Sequence, residues 1–82
     1  MAMAPDQTRL LRLLAEGGSL WLTYGDGFYE IADWRIPAKL WDAWEDDPIW
    51  VELTEVLSER AESLRIGITE RGRAYLASLP SS

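Results

Sequence analysis

Carboxylates are the only side chains in this sequence whose type and spacing could support chemistry. Four of them lie in the segment 37–48, namely Asp42 in its middle and Glu45, Asp46 and Asp47 at its end. Paired carboxylates can act as a general acid and base, and three of them can hold a divalent cation. Histidine and cysteine are absent, which removes the commonest general base, the thiol nucleophile and the usual zinc ligands. We therefore expect a non-enzymatic protein without a metal or cofactor.

The segment that carries these acids predicts a short amphipathic helix. Pro37 suits a first helical turn, and Leu40, Trp41 and Trp44 fall on one face. The acids then follow at the negative end of the helix dipole, where each exposed charge is disfavoured by roughly 0.3–1 kcal/mol. Stability alone would favour Lys or Arg at this end. We therefore interpret the acid cluster as a contact surface.

The net charge of −6 comes from the middle of the chain. Residues 37–62 hold eight acids against Lys39 and Arg60, and the flanking parts nearly cancel. Such a field repels phosphate and attracts basic surfaces. A solvated face that keeps a small protein in solution explains the same pattern. Both interpretations remain open at this point.

Helices are predicted near both ends of the chain. The first begins at Pro5, carries leucines at helical spacing and ends at Gly17-Gly18. The last begins at Thr69, whose hydroxyl suits the N-cap, and Tyr75 and Leu76 lie on its apolar side. We expect a single α+β domain over residues 1–82, with flexible tails at residues 1–4 and 80–82.

A β-hairpin is predicted after the first helix. Strands at residues 20–24 and 28–32 flank Asp26-Gly27, a strong two-residue turn signal. This turn places Leu22 opposite Ile31 and Tyr24 opposite Tyr29, on a face that reads as core. The other face carries two large aromatics. These two residues, Trp21 and Phe28, either pack under another element or form an interface patch.

A second hairpin is predicted after Pro48. Apolar residues alternate over 49–54 and again over 64–69, which is typical of half-buried strands. A turn at Glu59-Arg60 would set Val51 opposite Ile68. A helical stripe over residues 53–64 is the alternative, because no Gly or Pro interrupts it. We favour the hairpin, since both ends have the strand pattern.

The second hairpin and last helix together resemble the end of a bacterial winged-helix domain. The resemblance rests on a strand followed by Ile68-Thr69-Glu70-Arg71-Gly72-Arg73-Ala74-Tyr75-Leu76. It implies a winged-helix-like domain with an N-terminal helix, a β-hairpin, a short Trp/acid helix, a β-hairpin wing and a C-terminal helix. Residues 37–47 would then stand where the recognition helix does. Their acids are the opposite of what DNA contact needs, so direct DNA binding is not expected.

Protein–protein interaction is the function that the sequence favours. Aromatic anchors among charged residues are typical of interface hot spots, and we expect some tryptophan surface beside the acids. The partner would be a basic surface of a host protein or nucleoprotein complex, occupied as a DNA mimic would occupy it. In overall character the chain resembles small acidic phage inhibitors, anti-CRISPR proteins among them. The predicted partner-binding residues are Trp41, Asp42, Trp44, Glu45, Asp46, Asp47, Glu52, Glu55 and Glu59.

A winged-helix transcriptional regulator is the alternative function. It would use a basic pole formed where the first and last helices meet. The residues of that pole are Arg9, Arg12, Arg65, Arg71 and Arg73. In either case no apolar run approaches the length of a membrane span and no signal peptide is evident, so we expect a cytoplasmic protein. The sequence leaves the oligomeric state open.

Overall fold

The chain folds into an α+β domain, as predicted. A computed structural model describes residues 4–79, so the predicted flexible tails lie outside the described residues except for Ala4. Within that range no helix is long and apolar enough to cross a membrane. The elements are α1 (Pro5–Gly17), β1 (Ser19–Tyr24), β2 (Phe28–Ile31), β3 (Trp34–Pro37), α2 (Ala38–Glu45), α3 (Pro48–Leu53), β4 (Thr54–Glu59), β5 (Ser63–Ile68) and α4 (Glu70–Ser78).

All five of these strands form one antiparallel sheet in the order β3-β2-β1-β5-β4. The first hairpin has the predicted register, with Tyr24 opposite Tyr29. Strand β3 was not predicted. It extends this hairpin and buries Ile36 directly opposite Tyr29. Strand β1 lies at the centre because β5 pairs along its other side.

The helices cover one face of the sheet. Leu22 and Ile66 alternate onto that face and join a single core with Leu10 of α1 and Trp50 of α3. The opposite face carries Trp21, which pairs across the strands with Arg65 and is 36% exposed. The domain is therefore a two-layer structure with an open sheet face.

The prediction of a strand at residues 49–54 is wrong, because most of this segment forms helix α3. The Asp47 carboxylate caps that helix by accepting a hydrogen bond of 3.0 Å from the Ile49 N–H. Pro48 occupies the first turn, where its fixed φ suits a helix. Trp50 and Leu53 lie one turn apart and are both buried. The apolar pattern of this segment is compatible with a strand or with a helix. The helix forms because it buries both of these side chains.

The second hairpin exists, and the alternative helix over residues 53–64 does not form. Its register differs from the predicted one because α3 uses the residues that were assigned to the strand. Thr54 now lies opposite Ile68, where Val51 was expected. A β-bulge between Val56 and Ser58 shifts the pairing again before the turn.

Helix α4 is joined tightly to α3. The Thr69 hydroxyl accepts from the Gly72 N–H at 3.1 Å, as its predicted cap role requires, and donates to the Glu52 carbonyl at 2.7 Å. Gly72 is buried, and a Cβ at this position would collide with the Leu53 carbonyl oxygen and with Ile68. A glycine is required here because two helices and a strand meet without room for a methyl group.

We predict that Gly72→Ala destabilises the protein by about 1–3 kcal/mol, the usual cost of overpacking, although alanine is the better helix former. Gly17→Ala is the matched control, because Gly17 is also helical and its added Cβ makes only an ordinary contact of 3.7 Å with Leu20. Urea unfolding of both variants checks this prediction. Equal stability of the two would show that the close approach at Gly72 has no energetic effect.

Candidate protein-binding groove

Three tryptophans form the centre of the core beneath the acidic helix. Trp41, Trp44 and Trp50 are only 2–4% exposed, and their ring centroids lie 5.4–6.1 Å apart. The expectation that tryptophan surface would lie beside the acids is therefore wrong for Trp41 and Trp44. Their large rings fill the space between α2, α3 and the sheet, so neither is an exposed aromatic anchor.

The acids of α2 lie on its outer side because the tryptophans occupy the inner side. Asp42, Glu45 and Asp46 are exposed. Asp47 is half-buried and has the structural role of capping α3. Glu52 is exposed but forms an ion pair of 3.0 Å with Arg71, which neutralises it. The predicted acidic surface is thus reduced to those carboxylates without a cationic neighbour.

A groove runs between the α2–α3 helices and the β4–β5 end of the sheet. It consists of two clefts, of about 430 and 240 Å³, which share Glu45, Val56 and Leu64. We call it the acidic groove. Its apolar and aromatic lining is Tyr24, Tyr29, Trp41, Trp50, Val51, Val56, Leu64 and Ile66, and the carboxylates that face it are Glu45, Glu59 and Glu62. Glu55 also borders the narrower cleft, but its pairing with Gly67 places its side chain on the open sheet face.

The lining of the acidic groove suits a lysine or arginine side chain. An aliphatic stem can pack on Val56 and Leu64 while its charged head meets a carboxylate. One cation also lines the wider cleft, Arg60. Its guanidinium lies 4.5 Å from the ring centroid of Trp21, which belongs to the open sheet face. Three carboxylates of the wider cleft therefore face one arginine that already has an aromatic partner.

The pKa of Tyr29 reports the negative potential in the groove. Burial raises the pKa of this phenol first, and the charges of Glu45 and then Asp42 raise it further. Both carboxylates come from α2, whereas Tyr29 comes from β2. The acidic helix thus acts electrostatically on a side chain of the sheet.

Four of the nine predicted partner-binding residues border the acidic groove: Trp41, Glu45, Glu55 and Glu59. Glu62 was missed, although it belongs to the acid-rich stretch that the charge count singled out. Tyr24 was predicted to be core and is 50% exposed instead, packed edge-on against Tyr29 with ring centroids 5.2 Å apart. The charge pattern could have indicated Glu62, but no sequence signal marks a tyrosine at the end of a core strand as exposed.

The arginines of the alternative DNA-binding pole are placed in different surroundings. Helices α1 and α4 do pack together, as that pole requires. Arg9, however, lies 4.3 Å from the Trp34 ring centroid, and Arg71 pairs with Glu52. The Arg65 Nε donates to the Ser19 hydroxyl at 3.0 Å on the open sheet face, while Arg12 and Arg73 are exposed. The structure does not gather these five side chains into one surface.

The aromatics of the open sheet face are covered by arginines. Arg60 lies over Trp21, and the Arg35 guanidinium lies 4.6 Å from the Phe28 ring centroid. Neither aromatic is buried under another element, and neither forms a bare apolar patch. Cation–π contacts shield their faces instead.

The arrangement of the side chains is the basis on which the function of this chain can be argued. Comparisons with protein-family models, with curated proteins and with solved structures find no match. Between Ala4 and Leu79 no group of three or more acidic side chains is placed so that it could hold a metal ion. The winged-helix resemblance stays a prediction. The acidic groove is the feature that a functional proposal must explain.

We predict that Glu45→Gln lowers the pKa of Tyr29 toward its ordinary value of 10.0, because one of the charges that disfavour the phenolate is removed. The pKa of Tyr29 is higher in the folded than in the unfolded protein. Its contribution to the free energy of unfolding is therefore complete below the unfolded-state pKa and is lost as pH rises through the folded-state pKa. A tyrosine ¹³Cζ NMR titration measures Tyr29 separately from the other tyrosines.

Glu30→Gln is the control for this titration. Glu30 neighbours Tyr29 in the chain, but it lies on the open sheet face, paired with Arg35. Its removal should leave the titration of Tyr29 in place. An equal shift in both variants would mean that the effect comes from net charge and not from the groove.

Proposed function

We propose that this protein is a non-catalytic binding module whose acidic groove takes a basic segment of another protein. The observation that carries the proposal is the combination of an apolar floor with three carboxylates in two clefts that share lining residues. Apolar lining with a few placed charges is the usual composition of a recognition site. The sign of those charges selects a cationic partner.

Electrostatics favours a protein partner over a nucleic acid. The chain carries a net charge of −6, and the carboxylates of the groove would face phosphate groups across a short distance. Like charges at an interface cost free energy, whereas a basic segment gains both affinity and a faster association rate. Binding should weaken as salt screens these charges, because the rim is open to solvent.

The class of partner follows from the same charge. Basic segments exposed on folded proteins are commonly those that hold nucleic acid, so a protein of that class would present the complementary surface. The proposed biological role is inhibition of such a protein in the cytoplasm by a phage or mobile-element protein of the anti-CRISPR type. The proposed contacts are Glu45, Glu59 and Glu62, with Asp42 and Asp46 contributing at longer range.

We predict that the triple variant Glu45→Lys, Glu59→Lys, Glu62→Lys abolishes binding of a cationic probe. The probe is an acetylated and amidated nonapeptide in which Lys alternates with Val. Calorimetry at low and at physiological salt should show binding by the native protein that weakens with salt, and a loss of at least about tenfold in the triple variant. Asp47 is left unchanged because it caps α3.

The matched control reverses three acids outside the groove: Glu16→Lys, Asp26→Lys and Asp33→Lys. Both triple variants change the net charge equally, and circular dichroism verifies that both remain folded. The control should keep the salt-dependent binding of the native protein. Equal loss in the two variants would mean that net charge, and not the acidic groove, governs binding.

A further inference from the structure

We infer that the partner segment binds as an added β-strand along β4, with its basic side chains over the acidic groove. This inference rests on the proposed function and specifies how the groove is used. Among the strands between Ala4 and Leu79, β4 lies at one edge of the sheet and pairs with β5 alone. An edge strand presents unpaired backbone groups, to which an extended segment can add.

The hydrogen-bonding pattern shows which backbone groups of β4 point outward. The Arg60 N–H donates to the Ser63 carbonyl at 2.8 Å, and the Thr69 N–H donates to the Leu53 carbonyl at 3.1 Å. These contacts mark hydrogen-bonded pairs at both ends of the hairpin. Because such pairs alternate with non-hydrogen-bonded ones, Val56 and Glu59 direct their N–H and C=O groups away from β5.

The opposite edge of the sheet is less suited to strand addition. Strand β3 has only four residues, and it ends at Pro37, which has no N–H to donate. The next residue begins α2, and its N–H is already bonded to the Gly27 carbonyl. By contrast, β4 has six residues, and the side chains of Val56 and Leu57 are 55% and 46% exposed.

Charge selects the occupant of this edge. A second copy of the chain could pair β4 with β4, but this would bring Glu55 and Glu59 of both copies together, which is destabilising. A strand with Lys or Arg at alternate positions avoids that repulsion. Successive side chains of a strand point to opposite faces, so every second one would lie on the Val56 side, above the groove.

Amide hydrogen exchange of the native protein, followed by NMR with and without the Lys-Val nonapeptide, tests this inference. We expect the Val56 and Glu59 amides to be protected by about tenfold or more in the complex, because they become hydrogen-bonded, while the α2 amides do not change. A second peptide of the same sequence, N-methylated on the backbone nitrogen of every Lys, has the same charge but lacks the amide donors that would pair with β4. It should bind at least about tenfold more weakly.

The variants Val56→Pro and Val56→Ala separate the backbone from the side chain. Val56→Pro removes the outward N–H and keeps the ladder to β5, so the Lys-Val peptide should bind about tenfold more weakly. Val56→Ala keeps the N–H and removes only the packing surface of the side chain, so the proline variant should bind about tenfold more weakly than the alanine variant. Circular dichroism checks the fold. The exchange experiment tests the inference even when the proline variant does not fold.

The outcomes separate this inference from the proposed function. Salt-sensitive binding that needs Glu45 and Glu59 but leaves the Val56 and Glu59 amides unprotected overturns strand addition and keeps the groove as the binding site. Failure of both peptides to bind overturns both. Protection that appears without peptide and grows with protein concentration shows that a second copy occupies the edge, which also overturns the inference.

Discussion

The burial of three tryptophans between the helix pair and the sheet is the constraint on which the rest of this structure depends. Trp41 and Trp44 attach α2 to the core, and Trp50 attaches α3. Aromatic pairs of this kind contribute about 0.5–1.5 kcal/mol each beyond the burial of their area. The packing even leaves the Trp41 indole N–H without a hydrogen-bond partner among the described residues. A small domain with one core needs such large side chains, and their orientation determines where every neighbouring side chain can go.

The acidic groove follows from this packing. With its tryptophan side held inward, α2 directs Glu45 toward β4 and β5, where Glu59 and Glu62 already lie. The carboxylates crowd the negative end of a helix, which opposes stability at neutral pH, and they raise the pKa of Tyr29, which opposes stability only at the alkaline pH where the phenol ionises. The protein keeps these charges although arginines elsewhere pair with acids or stack on aromatics. Unpaired acids beside an apolar floor are expected where a cationic partner completes the site.

Local signals were enough to predict the elements whose ends are marked by a turn or a cap. The Asp26-Gly27 turn identified the first hairpin and its Tyr24–Tyr29 register, and the Thr69 hydroxyl identified the start of α4. Helix α3 was mistaken for a strand because six residues are too few to separate two periodicities. Asp47, the N-cap residue of this helix, was interpreted only as a member of the acid cluster. The groove was not predictable as a whole, since β1, β2, α2, α3, β4 and β5 each contribute to it and no sequence pattern reports their contacts.

Tryptophan accessibility tests the central claim most directly, because indoles that fill the core cannot also serve as exposed anchors. The double variant Trp21→Phe, Trp34→Phe keeps only the three buried tryptophans, and the neutral quencher acrylamide avoids repulsion by the acids. The account predicts short-wavelength fluorescence that acrylamide hardly quenches until the protein is unfolded in urea. Long-wavelength emission that is freely quenched in the folded protein would contradict it, and the tryptophans themselves would then belong to the binding surface.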